Sequence, residues 1–197
     1  MYGDTPPSRK RLRISLNAPV TLAFAALCVC ATALGVLTGG SATNLLFSTH
    51  AGSLTDPLTY VRLFTHVLGH AGWEHLVGNM GYILLLGPML EEKYGSSTLA
   101  CVILITAGVT GVLNNLLFPT TSLRGASGVV FAFILLSSLA GIRDGEIPLT
   151  FILVAVLFLG QQVIDGIFAA DNISQFGHIV GGVVGAGLGF LFADWRR

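Results

Sequence analysis

The chain has 197 residues, of which 53% are hydrophobic and only 10% charged, with a formal net charge of zero. A soluble domain carries about 25% charged residues, so that class is set aside, and the lack of a basic excess argues against a nucleic-acid surface. Cys28, Cys30 and Cys101 all lie inside apolar runs; they read as small core residues, and no disulfide, metal or cofactor is implied.

Residues 1–16 form a polar, basic tail holding Arg9, Lys10, Arg11 and Arg13. Apolar segments follow at 18–37, 73–90, 97–118, 127–142, 148–168 and 173–193, and about 20 such residues cross a bilayer core as a helix. The first segment has the basic flank of a signal peptide. Its apolar run is too long for one, however, and five spans follow, so it is expected to be retained. Residues 39–72 include Leu45, Leu46, Phe47, Tyr60, Leu63 and Phe64. That is too apolar for a solvated loop and predicts a structured, partly membrane-embedded one whose backbone is buried in protein. The remaining connections are short. The expected fold is all-α, a polytopic six-helix membrane bundle forming one domain over 17–197.

Lysine and arginine placement orients it. With the N-terminus inside, Arg9, Lys10, Arg11, Arg13, Lys93, Arg143, Arg196 and Arg197 are cytoplasmic, and only Arg62 and Arg124 are external. That asymmetry predicts both termini in the cytoplasm.

Polar residues interrupt the apolar segments at a common depth. His75 precedes Glu91 by 16 residues, as Ser127 precedes Arg143 and His178 precedes Asp194. At 1.5 Å per residue, each lies about 24 Å above the inner boundary. Asn79 falls one turn deeper on the face of His75. Ionisable groups at such depth are a functional hypothesis by default. In the last segment Gly177, Gly181, Gly185 and Gly189 recur every fourth residue, a bare ridge against which a second helix can lie closely. The fourth segment, opening with Gly125, Ser127, Gly128 and Ala132, is small enough to be that partner.

These residues resemble the rhomboid family of intramembrane serine proteases from about Tyr60 to the C-terminus. The resemblance is carried by Arg62-Leu63-Phe64-Thr65-His66, by His70, His75 and Asn79, by Glu91, by Gly125-Ala126-Ser127-Gly128, and by Gly177-His178-xx-Gly181. Six spans with both ends inside resemble the basic bacterial form. A soluble α/β-hydrolase fails on its own motif, since a nucleophile elbow needs glycine two places after the serine and Val129 stands there.

The resemblance implies a catalytic dyad of Ser127 and His178, with His75, Asn79 and the Ser127 N–H as oxyanion donors. Asp165 and Asp171, near the outer end of the fifth segment, leave a third carboxylate partner open from sequence alone. Gly125 and Gly128 would let substrate backbone approach. His66, Arg62 and Glu91 read as structural, organising the long loop and an inner helix end; His70 could hydrogen-bond near the site or hold the loop, and the second is favoured. Phe131, one turn below Ser127, could pack on the His178 ring; relatives often carry tyrosine there. Gln161 and Gln162 are candidates for lining a substrate or water path. The resemblance further implies the inner (plasma) membrane, a site opening outward, and transmembrane proteins as substrates. It leaves the oligomeric state open. Two other readings compete. A transporter is disfavoured because no repeated half is visible, and a silent rhomboid-like binder of membrane clients because Ser127 and His178 are both present.

Overall fold

The computed structural model describes residues 15–140, 146–168 and 173–194. Most of the basic tail, Arg143, Asp171, Arg196 and Arg197 lie outside these residues, as does the side chain of Asp165. Eight α-helices occur among the described residues: α1 Pro19–Leu37, α2 Ser41–Leu46, α3 Pro57–Thr65, α4 Trp73–Tyr94, α5 Ser96–Leu117, α6 Ser127–Ser138, α7 Leu149–Phe168 and α8 Ile173–Asp194. No strand is present among them; extended pairing is limited to a single bridge between Thr49 and Leu123. The chain is an all-α membrane bundle.

Pro19–Leu37, Ser96–Leu117 and Gln175–Ala193 are each long and apolar enough to cross a bilayer, while the apolar stretches of α6 and α7 are shorter. Large aliphatic side chains such as Leu27, Leu85, Leu104, Leu116, Val156 and Leu157 face outward around the bundle. So much exposed apolar surface suits lipid and not water. The interior is built from Cys28, Ile83, Leu90, Leu99, Val102, Val129, Phe133 and Leu135.

The fourth apolar segment, expected to run through 142, is helical from Ser127 to Ser138 among its described residues, which end at Ala140. The Ser137 and Ser138 hydroxyls donate to the carbonyls of Ile134 (2.8 Å) and Leu135 (2.7 Å). Such local bonds compete with helix continuation. Twelve residues make about 18 Å of helix, less than a bilayer core of about 30 Å. The far end of α6, Leu139 and Ala140, shares a small cavity with Lys93 at the charged end of α4. The helix that opens at Ser127 therefore runs about 18 Å toward that level.

The loop over 39–72 is structured. Asp56 caps α3 by accepting the Leu58 N–H at 3.0 Å. Arg62 Nε donates to the Leu45 carbonyl at 2.7 Å, and its guanidinium lies 3.8 Å from Asp56. Thr65 Oγ1 donates to the Leu46 carbonyl. The buried Arg62 thus ties α3 back onto α2.

At the opposite end, Glu91 joins three helices. Its carboxylate accepts the Val20 and Thr21 N–H groups (both 2.9 Å), the Thr21 hydroxyl (2.8 Å) and the Ser96 hydroxyl (2.7 Å). Pro19 opens α1, and Ala18 offers no side-chain cap. The carboxylate from α4 therefore satisfies donors that α1 leaves unpaired and places negative charge at the positive end of its dipole.

Candidate active site

Ser127 is the first residue of α6, so its N–H has no carbonyl partner within the helix. The chain reaches it through Gly125, whose φ of +122° favours a residue without a side chain. The segment before the serine is held from the loop. Thr49 and Leu123 exchange backbone hydrogen bonds at 2.9 Å, and the Gly125 N–H donates to the His66 carbonyl at 3.0 Å. His66 is itself fixed, with Nδ1 3.2 Å from the Arg62 carbonyl and Nε2 3.3 Å from Thr110 Oγ1.

His70 touches both the loop and the serine segment. Its Nδ1 lies 3.1 Å from the Leu68 carbonyl and 3.5 Å from Thr32 Oγ1, while the Ala126 N–H donates to its Nε2 at 3.5 Å. This is the pattern of a neutral imidazole, protonated at Nδ1. Burial, then the neighbouring His75, push its pKa down to about 4. The two rings meet edge to face, centroids 5.0 Å apart.

His75 accepts the Ala71 N–H at Nδ1 (3.5 Å), which leaves Nε2 to carry the ring proton. A Cβ on Gly125 would stand 2.8 Å from His75 Cε1 and 3.1 Å from Nε2. Glycine at 125 therefore makes room for this ring. Asn79, one turn further along α4, is 7% exposed, and its Nδ2 finds no hydrogen-bond partner among the described residues.

His178 comes from α8. Its ring lies flat on Phe131, centroids 4.5 Å apart and planes 4° from parallel, the packing expected from the sequence. Its Nδ1 is 2.6 Å from Gln162 Oε1 on α7. Ser127, His178, His75, Asn79 and Phe131 line one cavity of about 290 Å³, with Glu74, Gly78, Tyr82 and Val130. Gly128 sits behind the serine, where α6 meets α8: a Cβ there would stand 3.4 Å from the Gly177 carbonyl. No hydrogen bond joins Ser127 Oγ to His178 among the described residues. Arg62, His66 and His70 lie outside the cavity lining, and Glu91 belongs to the other end of the bundle. No cluster of three or more His, Cys, Asp or Glu side chains suited to a metal ion occurs among the described residues.

Gln162 is the contact that sequence reasoning did not reach, since it was grouped with Gln161 as path lining. A signal was available. In an antiparallel helix pair, residues equally far from the connection stand level. Gln162 lies six residues before the end of α7 and His178 five after the start of α8.

Comparison with known proteins supplies the context. A family model described as "Rhomboid domain" matches residues 57–195. Rhomboid-related protein 2 of Mus musculus is 29% identical over 71% of this chain and 53% of its own length. Rhomboid protease GluP of Bacillus subtilis is 29% identical over 76% of the chain and 30% of its own. Rhomboid protease GlpG of Haemophilus influenzae is 24% identical, covering 93% of this chain and 96% of the relative. The chain thus spans about half or less of the first two relatives and nearly all of the third.

Proposed function

We propose that this chain, which belongs to the rhomboid family, is an intramembrane serine endopeptidase acting on the transmembrane segments of other proteins. One observation carries the reading: Ser127, His178, His75 and Asn79, drawn from three helices, line a single cavity in an apolar bundle. Interhelical hydrogen bonding alone would leave no reason for an unpartnered amide donor beside a serine at a helix start.

In this reading Ser127 Oγ attacks the scissile carbonyl carbon as His178 Nε2 takes its proton. The carbonyl oxygen becomes an oxyanion, met by the His75 Nε2–H, the Asn79 Nδ2–H and the Ser127 N–H. Collapse breaks the C–N bond, and His178 returns the proton to the departing amine. Water, losing its proton to His178, then cleaves the acyl-enzyme and regenerates Ser127. Nucleophile–base hydrogen bonds are often long in unliganded enzymes and tighten on substrate binding. Gly125 and Gly128 keep the backbone bare beside the nucleophile. A helical substrate hides its carbonyls in i to i−4 bonds, so it must unwind locally before attack. The family resemblance supports an inner-membrane location, and the lysine and arginine asymmetry supports both termini cytoplasmic with the cavity open to the outside.

A fluorophosphonate probe tests the nucleophile. It should label the detergent-purified wild type and leave Ser127→Ala unlabelled; equal labelling of both sinks the reading. A protein that neither labels nor cleaves would instead fit a silent binder of membrane clients.

A further inference from the structure

We propose that Gln162 is a positioning residue for His178: by accepting the Nδ1 proton, it holds the imidazole in the tautomer whose Nε2 lone pair is free to act as base. The proposal rests on the protease reading and extends it to a residue on a different helix.

Four observations carry it. The Gln162 Oε1 to His178 Nδ1 distance is 2.6 Å, just under the usual range for an N–H···O bond. His178 is otherwise held by Phe131, which fixes the plane of the ring but not its proton. Phe131 is in turn met edge-on by Phe158, centroids 6.2 Å apart. Phe158 and Gln162 are four residues apart on α7, hence on one face, so a single helix face supports the ring and selects its tautomer. Finally, α7 packs on α8 beside this pair: a Cβ on Gly182 of α8 would stand 2.6 Å from a Leu159 methyl.

A neutral imidazole has one N–H and one lone pair, and the partner of one nitrogen decides the role of the other. With Nδ1–H given to Gln162, Nε2 must accept. Without that acceptor, part of the population carries its proton on Nε2 and cannot take one from Ser127. The amide is uncharged, so it sets the tautomer without the electrostatic pull of a carboxylate. The other titratable side chains lining the cavity are Glu74, His75 and Tyr82.

The test is the rate of fluorophosphonate labelling of full-length protein across pH, because a small probe reads Ser127 nucleophilicity without a helical substrate having to pass α7. Gln162→Leu removes the acceptor and should slow labelling about tenfold. Gln162→Glu keeps the acceptor and adds charge. It should label within about twofold of wild type at pH 8.5, with the acidic limb of its profile raised by about 1–2 pH units. A limb left in place would mean that residue 162 does not meet the base, and the loss of about tenfold in Gln162→Leu separates positioning from mere proximity. Wild-type labelling rates in Gln162→Leu, or an unmoved limb in Gln162→Glu, overturn the proposal. Should Gln162→Leu fail to fold, the limb of Gln162→Glu decides alone. Labelling that persists in Ser127→Ala is a separate result: it defeats the protease reading, and this one with it.

Discussion

Gly181 of α8 lies against the backbone of Gly128 of α6: a Cβ on Gly181 would stand 2.8 Å from the Gly128 Cα. One turn on, a Cβ on Gly185 would stand 2.6 Å from the Ala132 Cα. Backbone meets backbone along this seam, and no side chain can rotate away to relieve a clash. The seam also sets the spacing of Ser127 from His178, each being adjacent in sequence or nearly so to a contact glycine.

Gly181→Ala should therefore separate the helices and cost about 1–3 kcal/mol of stability, with cleavage reduced more than the folded fraction accounts for. Thermal unfolding in detergent, paired with activity per folded molecule, checks this. Gly187→Ala is the control, since open space surrounds that position.

Gly125→Ala addresses the cavity directly. Its Cβ would meet both the positive φ and the His75 ring. The expected result is a fall in kcat of about tenfold or more, as His75 is displaced from the oxyanion position. A variant with normal kcat would remove His75 from that role.

Asn79→Ala should lower kcat by about a hundredfold or more while changing stability by less than about 1 kcal/mol. The reason is that Asn79 Nδ2 forms no bond among the described residues that its loss would break. Equal losses of stability and activity would point instead to a structural amide.

Sequence and structure diverge for identifiable reasons. Hydrophobic run lengths and the four-residue glycine period were legible because each is set within one segment, and the ridge does meet the helix that opens at Ser127. The end of α6 at Ser138 was not, because serine back-bonding inside an apolar run leaves hydropathy unchanged. The partner of Glu91 was hidden too, since its four donors come from α1 and α5. The Gln162 contact depends on the rotation of α7 against α8, which no single-segment pattern encodes. His70 could be read either as a loop holder or as bonding near the site, and it does both, meeting the Leu68 carbonyl and the Ala126 N–H beside the serine.

Glu91→Gln should destabilise the fold by about 3 kcal/mol. Different carboxylate oxygens serve Val20 and Thr21, so the amide keeps one acceptor but turns a donor toward the N–H of one of them. Activity per folded molecule should be retained, because Glu91 is remote from the cavity. Thermal unfolding with a matched cleavage assay separates the two effects.

Stability should also fall with acid in a defined window. Burial lowers the pKa of His66 and of His70 from 6.5 to about 4, with His75 adding to the shift at His70. Between these values the unfolded chain binds more protons than the folded one, so stability rises with pH. It is full above about pH 6.5 and is lost as pH falls toward 4. Unfolding temperatures at pH 7.5 and 5 should differ accordingly, with a smaller difference in His70→Gln. Equal temperatures at both pH values would contradict the neutral, buried histidines.

The central claim is that Ser127 and His178 together hydrolyse peptide bonds in membrane-embedded substrates. The most direct measurement is cleavage of single-span substrates by wild type, Ser127→Ala and His178→Ala, reconstituted in parallel into lipid vesicles and followed by the mass of the fragments. The account predicts one defined cut in or near the substrate's transmembrane segment with wild type, and none with either variant. Cleavage that survives both substitutions, or a wild type indistinguishable from them across several substrates, would contradict it.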